Sequence, residues 1–463
     1  MIDIPPLKVP AELSPDFLPP AIWHRSYQAL CDASPASRVL SMALERSDGT
    51  VFIHRMKVLP ESHEKFPLSY KAAAGVLSFL LWQKGGTRVY VSGAPEIGEA
   101  LAGDYSEAGK SAFTRDMMTR FFLEPMKIVV CEPDEIPSAT ESALPLGRHM
   151  EGCRIGFDLG GSDRKCAAVV DGKVVFSEEI EWDPYFEQNP EYHYEGIADS
   201  LKRAAEHLPR VDAIGGSAAG IYVDNEPRVA SLFRGVPPEL YEDHVRPVFK
   251  RIRRQYEGLP FVVINDGEVT ALAGAMALND SPVLGVAMGT SQAGGYCDAA
   301  GSITSWLNEL AFAPVDYCDD APVDEWSGHA GCGVQYFSQQ AVARLIPHAG
   351  IDVPDGMSLP EQLKKVQELM AQGDRRAARI YRTIGVYCGY SIAWYADFYD
   401  MKHLLLLGRV TSGSGGDLIV STAEEVLEKE FPHLAATVKI SMPDEKLKRH
   451  GQAVAAAGLP ALA

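Results

Sequence analysis

The sequence predicts an α/β protein whose core is built twice. Three observations predict it. Short β-branched runs alternate with stretches of helical period; several of those runs end in glycine turns or an Asn-Asp pair; and the strand order that begins near residue 152 restarts near 283. At 463 residues the chain exceeds one ordinary domain and has length for two or three cores. It divides into a small α/β unit over 1–150, whose role the sequence does not name, a first lobe over 151–280 and a second over 281–463.

Taken in order, Val39–Leu44 and Thr50–Met56 read as a hairpin across Ser-Asp-Gly, followed by an apolar helix Tyr70–Trp82 and a strand Arg88–Ser92. Gly93-Ala-Pro and Gly98 read as turns, Phe113–Phe122 as a helical stretch and Met126–Val130 as a strand. Glu132–Leu146, rich in Pro, Ser and acid, has linker composition. Beyond it, Arg154–Leu159, Cys166–Val170 and Val174–Glu179 form a three-strand meander with Asp171-Gly172 as hairpin turn. Helix Glu195–His207 and strand Ala213–Gly216 follow, and Phe261–Ile264 is a later strand. The second copy starts at Val283–Ala287 with Gly294–Cys297 and continues through Leu404–Leu407. Helices are expected over Pro360–Met370, Arg375–Tyr399 and Asp417–Phe431. The aromatic stripe Tyr381, Tyr387, Tyr390, Trp394, Tyr395, Phe398 and Tyr399 reads as core, because aromatics at near-helical spacing pack against a neighbour more often than against a ligand.

Composition narrows the function. With 62 acidic against 43 basic residues, the net charge of −19 repels nucleic-acid backbones, so no nucleic-acid partner is expected. The longest apolar stretch, Ala72 to Trp82, falls short of the about 20 residues a membrane span needs, and no signal-peptide start is seen; a cytoplasmic protein without membrane association is expected. Eight cysteines without a Cys-x-x-Cys pair read as free thiols, Cys153 and Cys166 as small buried hydrophobes.

The chemistry lies at the strand ends. Asp158-Leu-Gly-Gly-Ser162 and Gly289-Thr-Ser-Gln-Ala-Gly-Gly295 each follow an apolar strand. Glycine lets backbone N–H groups approach an anion, so Gly160, Gly161, Ser162, Gly289, Thr290 and Ser291 can cradle phosphate oxygens, and Asp158 can hold Mg2+ directly or through water. Lys165 can offset the charge of Asp163 beside the first cradle. Asn265-Asp266, after a strand and before a small-residue helix, offers a carboxylate for proton abstraction and equally a helix N-cap.

The set resembles the ROK family of sugar kinases and repressors, within the actin, hsp70 and hexokinase superfamily, from about residue 152 to the end. Asp158-Leu-Gly-Gly-Ser162-Asp163 is similar to that family's Asp-x-Gly-Gly-Thr-Asn/Lys loop, and Asn265-Asp266-Gly-Glu-Val-Thr-Ala-Leu-Ala-Gly274 to its Asn-Asp-Ala-Asn-x-x-Ala-Leu-Gly segment. The resemblance implies a duplicated ribonuclease H-like, actin-like ATPase fold of two lobes that close on a cleft. It further implies ATP-dependent phosphoryl transfer to a hydroxyl of a sugar or sugar-like molecule, with ATP and Mg2+ as cofactors, Asp266 as general base and a homodimer. Leu404-Leu-Leu-Leu-Gly408-Arg-Val-Thr-Ser-Gly413 resembles the adenosine segment, making Gly408 and Gly413 nucleotide contacts. On the acceptor side Asn265 and Glu309 match, but Ser231 stands where the family has a sugar-binding asparagine, Val334 where it has a second glutamate and Phe312 where it has a zinc-binding histidine. Of the family's three zinc cysteines Cys332 alone is kept, so no structural zinc is expected. Two readings stay open: a kinase with an acceptor unlike glucose or N-acetylhexosamines, and a non-catalytic sugar- or nucleotide-binding regulator. The mixed α/β, acidic first 150 residues disfavour a DNA-binding repressor.

Overall fold

The computed structural model describes residues 2–140, 146–256, 258–443 and 445–462; for 445–450 it describes the backbone alone. Near the N-terminus, β1 (Arg38–Glu45) and β2 (Val51–Val58) form the expected hairpin, β3 (Arg88–Ser92) pairs antiparallel with β1, and β4 (Lys127–Val130) runs parallel to β3. Around this sheet lie α1 (Pro20–Ala33), α2 (Phe66–Lys84), α3 (Pro95–Asp104) and α4 (Ala112–Phe122). Helix α3 replaces the turn expected at Gly98. A side chain there would collide with Val91 and Val130, so the glycine is what lets the helix close on its sheet. The linker segment holds a short 3-10 turn at Pro133–Glu135, and its residues 141–145 lie outside the described residues.

The first lobe is built on the meander β5 (Cys153–Leu159), β6 (Asp163–Val170) and β7 (Lys173–Glu181). β8 (Ala213–Ala218) runs parallel to β5, a small hairpin β9 (Ile221–Val223) and β10 (Glu226–Val229) intervenes, and β11 (Phe261–Asn265) extends the sheet in the order β11-β8-β5-β6-β7. Every residue of β5 is buried, as a central strand covered on both faces requires. Its helices are α5 (Pro190–Ala205), α6 (Val248–Arg254) and α7 (Asp266–Leu278).

The second lobe repeats the plan with β12 (Val283–Met288), β13 (Gln292–Cys297), β14 (His403–Leu407) and β15 (Lys439–Ser441) in the order β13-β12-β14-β15. β12 is antiparallel to β13 and parallel to β14, as β5 is to β6 and β8, so the duplication expected from sequence is present. Its helices are α8 (Gln339–Ala349), α9 (Leu359–Ala371), α10 (Arg375–Tyr395), α11 (Ser414–Glu430) and the short α12 (Pro432–Ala435). The stripe on α10 is core: Tyr381, Tyr387, Tyr390, Trp394 and Tyr395 are buried, and α10 ends four residues before Tyr399.

Two features depart from a simple three-unit chain. Helix α13 (Glu445–Ala457) packs on the first-lobe strands β5, β6 and β8, where a Cβ on Gly156 or Gly215 would overlap the carbonyl oxygens of Ala453 or Ala456. The N-terminal residues share one apolar cluster with the second lobe, in which Leu40, Leu80 and Trp82 join Leu284, Leu310 and Trp394. Helix α7 lies against β12, β13 and α13 and so connects the two lobes.

Candidate active site

Strand register brings the acidic residues to one edge. Asp158 and Ile264 both sit opposite Ser217, so the end of β5 and the Asn265-Asp266 pair after β11 emerge together. The Asp158 carboxylate accepts from Ser217 Oγ at 2.7 Å, and Lys165 Nζ stands 3.7 Å from it and 2.9 Å from Asp163. Lys165 thus bridges the two carboxylates. Burial still pushes the Asp158 carboxyl upward.

Gly160, Gly161 and Ser162 form the turn between β5 and β6, closed by Gly160 N–H donating to Asp163 O at 2.9 Å. Trp182 holds this turn: its indole N–H donates to Gly160 O at 2.9 Å and its amide to Ser162 O at 3.1 Å. Both carbonyls are engaged from that side. Ser162 is exposed and its hydroxyl donates to Asp163 at 3.0 Å. A Cβ on Gly161 would lie 2.3 Å from the Tyr185 ring, so this position takes no side chain. The equivalent turn of the second lobe, Gly289, Thr290 and Ser291, joins β12 to β13. It is closed by Gly289 N–H to Ser291 O at 2.9 Å, with both hydroxyl residues exposed. Gly408 follows β14 at φ 102° against the Met288 backbone, and Gly413, at φ 72°, opens α11 with free space where a side chain would stand.

Asp266 occupies the first turn of α7. Asn265 caps that helix: its carbonyl accepts from Gly267 N–H at 2.7 Å, and its amide donates to Gly220 O at 2.7 Å. The helix start is pressed onto β13, since a Cβ on Gly267 would lie 2.3 Å from Gly294 O. Burial, with the Asp158 charge, pushes Asp266 up to about 6. Glu309 is pushed up to about 8 by burial and by Asp266. Each carboxyl therefore feels the next. Glu268 is also pushed up to about 8, first by burial and then by Glu309; it accepts from the Asn308 amide, and its second oxygen is buried without a partner.

The loop carrying Asn308 and Glu309 is supported from the N-terminal unit. Asn308 N–H and Glu309 N–H donate to Gln83 O and Trp82 O, each at 2.9 Å, at the carboxyl end of α2. Tyr399 OH donates to Asn308 Oδ1 at 2.7 Å. Phe312 packs among aromatic rings, its ring centre 4.7 Å from that of Trp82, 5.3 Å from that of Trp326 and 6.0 Å from that of Phe113. His329 joins this cluster through Thr114, 3.1 Å from its Nε2, while Cys332 and Val334 are buried together beside it. Among the described residues, no three His, Cys, Asp or Glu side chains form a metal-binding group.

Asp158, Asp266 and Glu309 are thus brought together, the two glycine turns and Gly408 stand at strand ends, Gly413 caps α11, and Ser231, itself exposed, begins a 3-10 turn whose Leu232 and Phe233 are buried. Trp182, Tyr185 and Arg234 were not singled out from sequence. Arg234 is exposed, with its guanidinium 4.1 Å from the Tyr185 ring and 5.1 Å from that of Phe186. The spacing Trp182-Asp-Pro-Tyr185 after β7 carries no signal until the fold sets it over the first turn.

No protein-family model matches this sequence, and no curated protein matches it. Solved structures do. The ROK hexokinase from Thermus thermophilus aligns with a TM-score of 0.51 at 18% identity, over 66% of this chain and 96% of that one. A ROK family glucokinase from Streptomyces griseus, solved with glucose and AMPPNP, gives 0.46 at 21% identity over 66% and 98%. A ROK family transcriptional regulator, homolog of the E. coli MLC protein, gives 0.49 at 17% over 67% and 78%. The chain therefore shares, over about two thirds of its length, the fold of that ROK hexokinase. No described helix is long and apolar enough to cross a membrane.

Proposed function

We propose that the protein transfers the γ-phosphoryl group of ATP to a hydroxyl of a sugar or sugar-like molecule. One observation carries this reading: the duplicated fold presents two equivalent glycine turns, and Asp158 and Asp266 emerge at adjoining strand ends beside the first, with Glu309, from the loop after β13, near enough to Asp266 to feel its charge. Asp158 fits a magnesium site because its buried charge is only partly offset by Lys165 and Ser217, and Gly413 leaves open space where a nucleoside can lie. Asp158 would hold the ion, which when bound supplies positive charge to the phosphates. Asp266 takes the proton of the acceptor hydroxyl as its oxygen bonds to the γ-phosphorus, and the bond from that phosphorus to the bridging oxygen breaks to release ADP. Near pH 7 Asp266 is ionised while Glu309 is largely protonated, so Glu309 can donate a hydrogen bond to the acceptor. Backbone N–H groups of residues 161–162 and 290–291, with the Ser162, Thr290 and Ser291 hydroxyls, hold phosphate oxygens, while the Gly160 and Gly289 N–H groups close their own turns, and Gly408 and Gly413 border the adenosine. The divisions near 150 and 280, a homodimer and a cytoplasmic location belong to the same proposal.

A second reading, a non-catalytic binding protein, draws on the acceptor side. Both polar groups of the Asn265 side chain are spent inside the protein, and Phe312 and Val334 are packed away. A thermal-shift and turnover panel with magnesium-ATP and a library of sugars, polyols and amino sugars separates the two. ADP release with one acceptor, abolished by Asp266→Asn, establishes the kinase; sugar binding without nucleotide response or turnover overturns it.

A further inference from the structure

Asn308 is a junction of several elements. It stands in the left-handed region at φ 50°, is 1% exposed, and has every polar atom bonded within the protein. Its N–H donates to Gln83 O at the carboxyl end of α2 at 2.9 Å, and its carbonyl accepts from Leu310 N–H at 2.9 Å. Its side-chain oxygen accepts from Tyr399 OH at 2.7 Å, and its side-chain amide donates to the Glu268 carboxyl on α7. Glu309 inherits this order. The bond from Leu310 to Asn308 closes a tight turn centred on Glu309, whose own N–H donates to Trp82 O at 2.9 Å and whose carbonyl accepts from Phe312 N–H at 3.2 Å. The Glu309 carboxyl, by contrast, is half-buried and makes no hydrogen bond among the described residues. A residue with both backbone groups fixed and its carboxyl unused is prepared for a ligand.

Glu268 has no part in the chemistry proposed above, and packing does not account for it. It is 4% exposed, and Asn308, the Tyr296 N–H and Glu309 face its carboxyl, with Tyr399 and Cys297 nearby; none of these is a cation. Burying an acid without a cation costs stability that an apolar side chain of similar size would not cost. Its place on α7 supplies the reason. Asp266 and Glu268 share the first turn of that helix, so one turn carries both the proposed base and the tie to the residue that precedes Glu309. The spacing between Asp266 and Glu309 is thereby set through two positions of one rigid element and one hydrogen bond.

We propose that Glu268 is a positioning residue: acting through Asn308, it fixes Glu309 beside Asp266, so that the acceptor meets both carboxyls in one geometry. The effect on the acceptor rests on the role of Glu309 proposed above; the brace itself does not rest on it.

The test compares the full chain with Glu268→Gln, Glu268→Met, Asn308→Gly and Tyr399→Phe, with circular dichroism as the folding check. Glutamine keeps an oxygen for the Asn308 amide and methionine, of similar size, does not; glycine accepts the left-handed backbone but lacks the side chain. Hydrogen exchange at the Asn308 and Glu309 amides reads the brace without any ligand. Initial rates with magnesium-ATP and the member of the sugar, polyol and amino-sugar library that turns over read its effect. Exchange at Glu309 is expected to quicken by about tenfold in Glu268→Met and Asn308→Gly, by less in Tyr399→Phe, and to stay at the parent rate in Glu268→Gln. The acceptor KM is expected to rise by about tenfold in Glu268→Met and Asn308→Gly with the ATP KM within about twofold of the parent, and Glu268→Gln to restore it. Parent-like exchange and KM in folded Glu268→Met and Asn308→Gly, an equal rise of both KM values, or Glu268→Gln as impaired as Glu268→Met overturns the proposal. Should Glu268→Met fail to fold, Asn308→Gly and Tyr399→Phe carry the same comparison. A parent that turns over no acceptor overturns the kinase reading, and the exchange pattern then decides the brace alone.

Discussion

Replacing Asp266 with asparagine should stabilise the protein while abolishing phosphoryl transfer. Burial and the Asp158 charge raise this carboxyl from its ordinary 3.8 to about 6. The folded state therefore keeps a proton that the unfolded chain releases between about pH 4 and 6. Stability from this group is fully present below pH 4 and is lost as pH rises to 6. A shift of two units corresponds to about 3 kcal/mol, and because Asp266 is partly exposed, solvent screening reduces this to about 1–2 kcal/mol. Asparagine keeps the oxygen that accepts from Gly267 N–H at 3.0 Å and carries no charge. At pH 7.5 the variant should melt about 1–2 °C above the parent, with the gap closing toward pH 4. Turnover should fall by about 10²–10⁴, the range of a positioned general base. Scanning calorimetry from pH 4 to 8 checks this. A gap that does not vary with pH, or a variant less stable throughout, would refute the claim that the site holds Asp266 at an electrostatic cost.

Gly161→Ala forces a Cβ into the Tyr185 ring and should weaken nucleotide binding by about tenfold, with acceptor binding unchanged; fluorescence titration with an ATP analogue reads it. Arg234, stacked on Tyr185 and without an ion-pair partner among the described residues, should on change to Ala leave the melting temperature within about 1 °C yet lower kcat/KM by about tenfold. Trp82→Ala should cost about 3–5 kcal/mol because the ring is fully buried under the acceptor loop, whereas EDTA should leave the melting temperature of the parent unchanged. A drop with EDTA would show a structural metal where the sequence predicts none.

What was legible in the sequence follows local physics. Arg88–Ser92 is found as read, and Asp171-Gly172 turns with φ of 47° and 77°, because a β-branched run and a turn pair each specify their own backbone. The α10 stripe was legible as core for the same reason. Helix α13 was not. Its Ala453–Ala457 surface has little apolar mass, and its stability comes from lying directly on Gly156 and Gly215, residues about 300 and 240 positions away. Helix α3 was hidden because glycine reads as punctuation, although Gly98 serves close packing. At the site, the order of Asp158, Asp266 and Glu309 was legible, but their mutual repulsion depends on burial, which no motif carries.

The least legible relation is the one between the first 150 residues and the loop carrying Asn308 and Glu309. In the family this chain resembles, a zinc site braces the segment after the sugar-binding glutamate. Here the same segment offers Phe312 and one cysteine, and the bracing comes from elsewhere: two carbonyls of α2 accept from Asn308 and Glu309, and Trp82, Phe113 and Trp326 surround Phe312. A tetrahedral metal fixes its ligands by bond geometry and needs nothing outside its loop. An aromatic cluster fixes them by packing and must recruit surface from another element. The segment carrying Asn308 and Glu309 is therefore held by α2 and by rings of the N-terminal unit, so a substitution that shifts α2 should move Glu309.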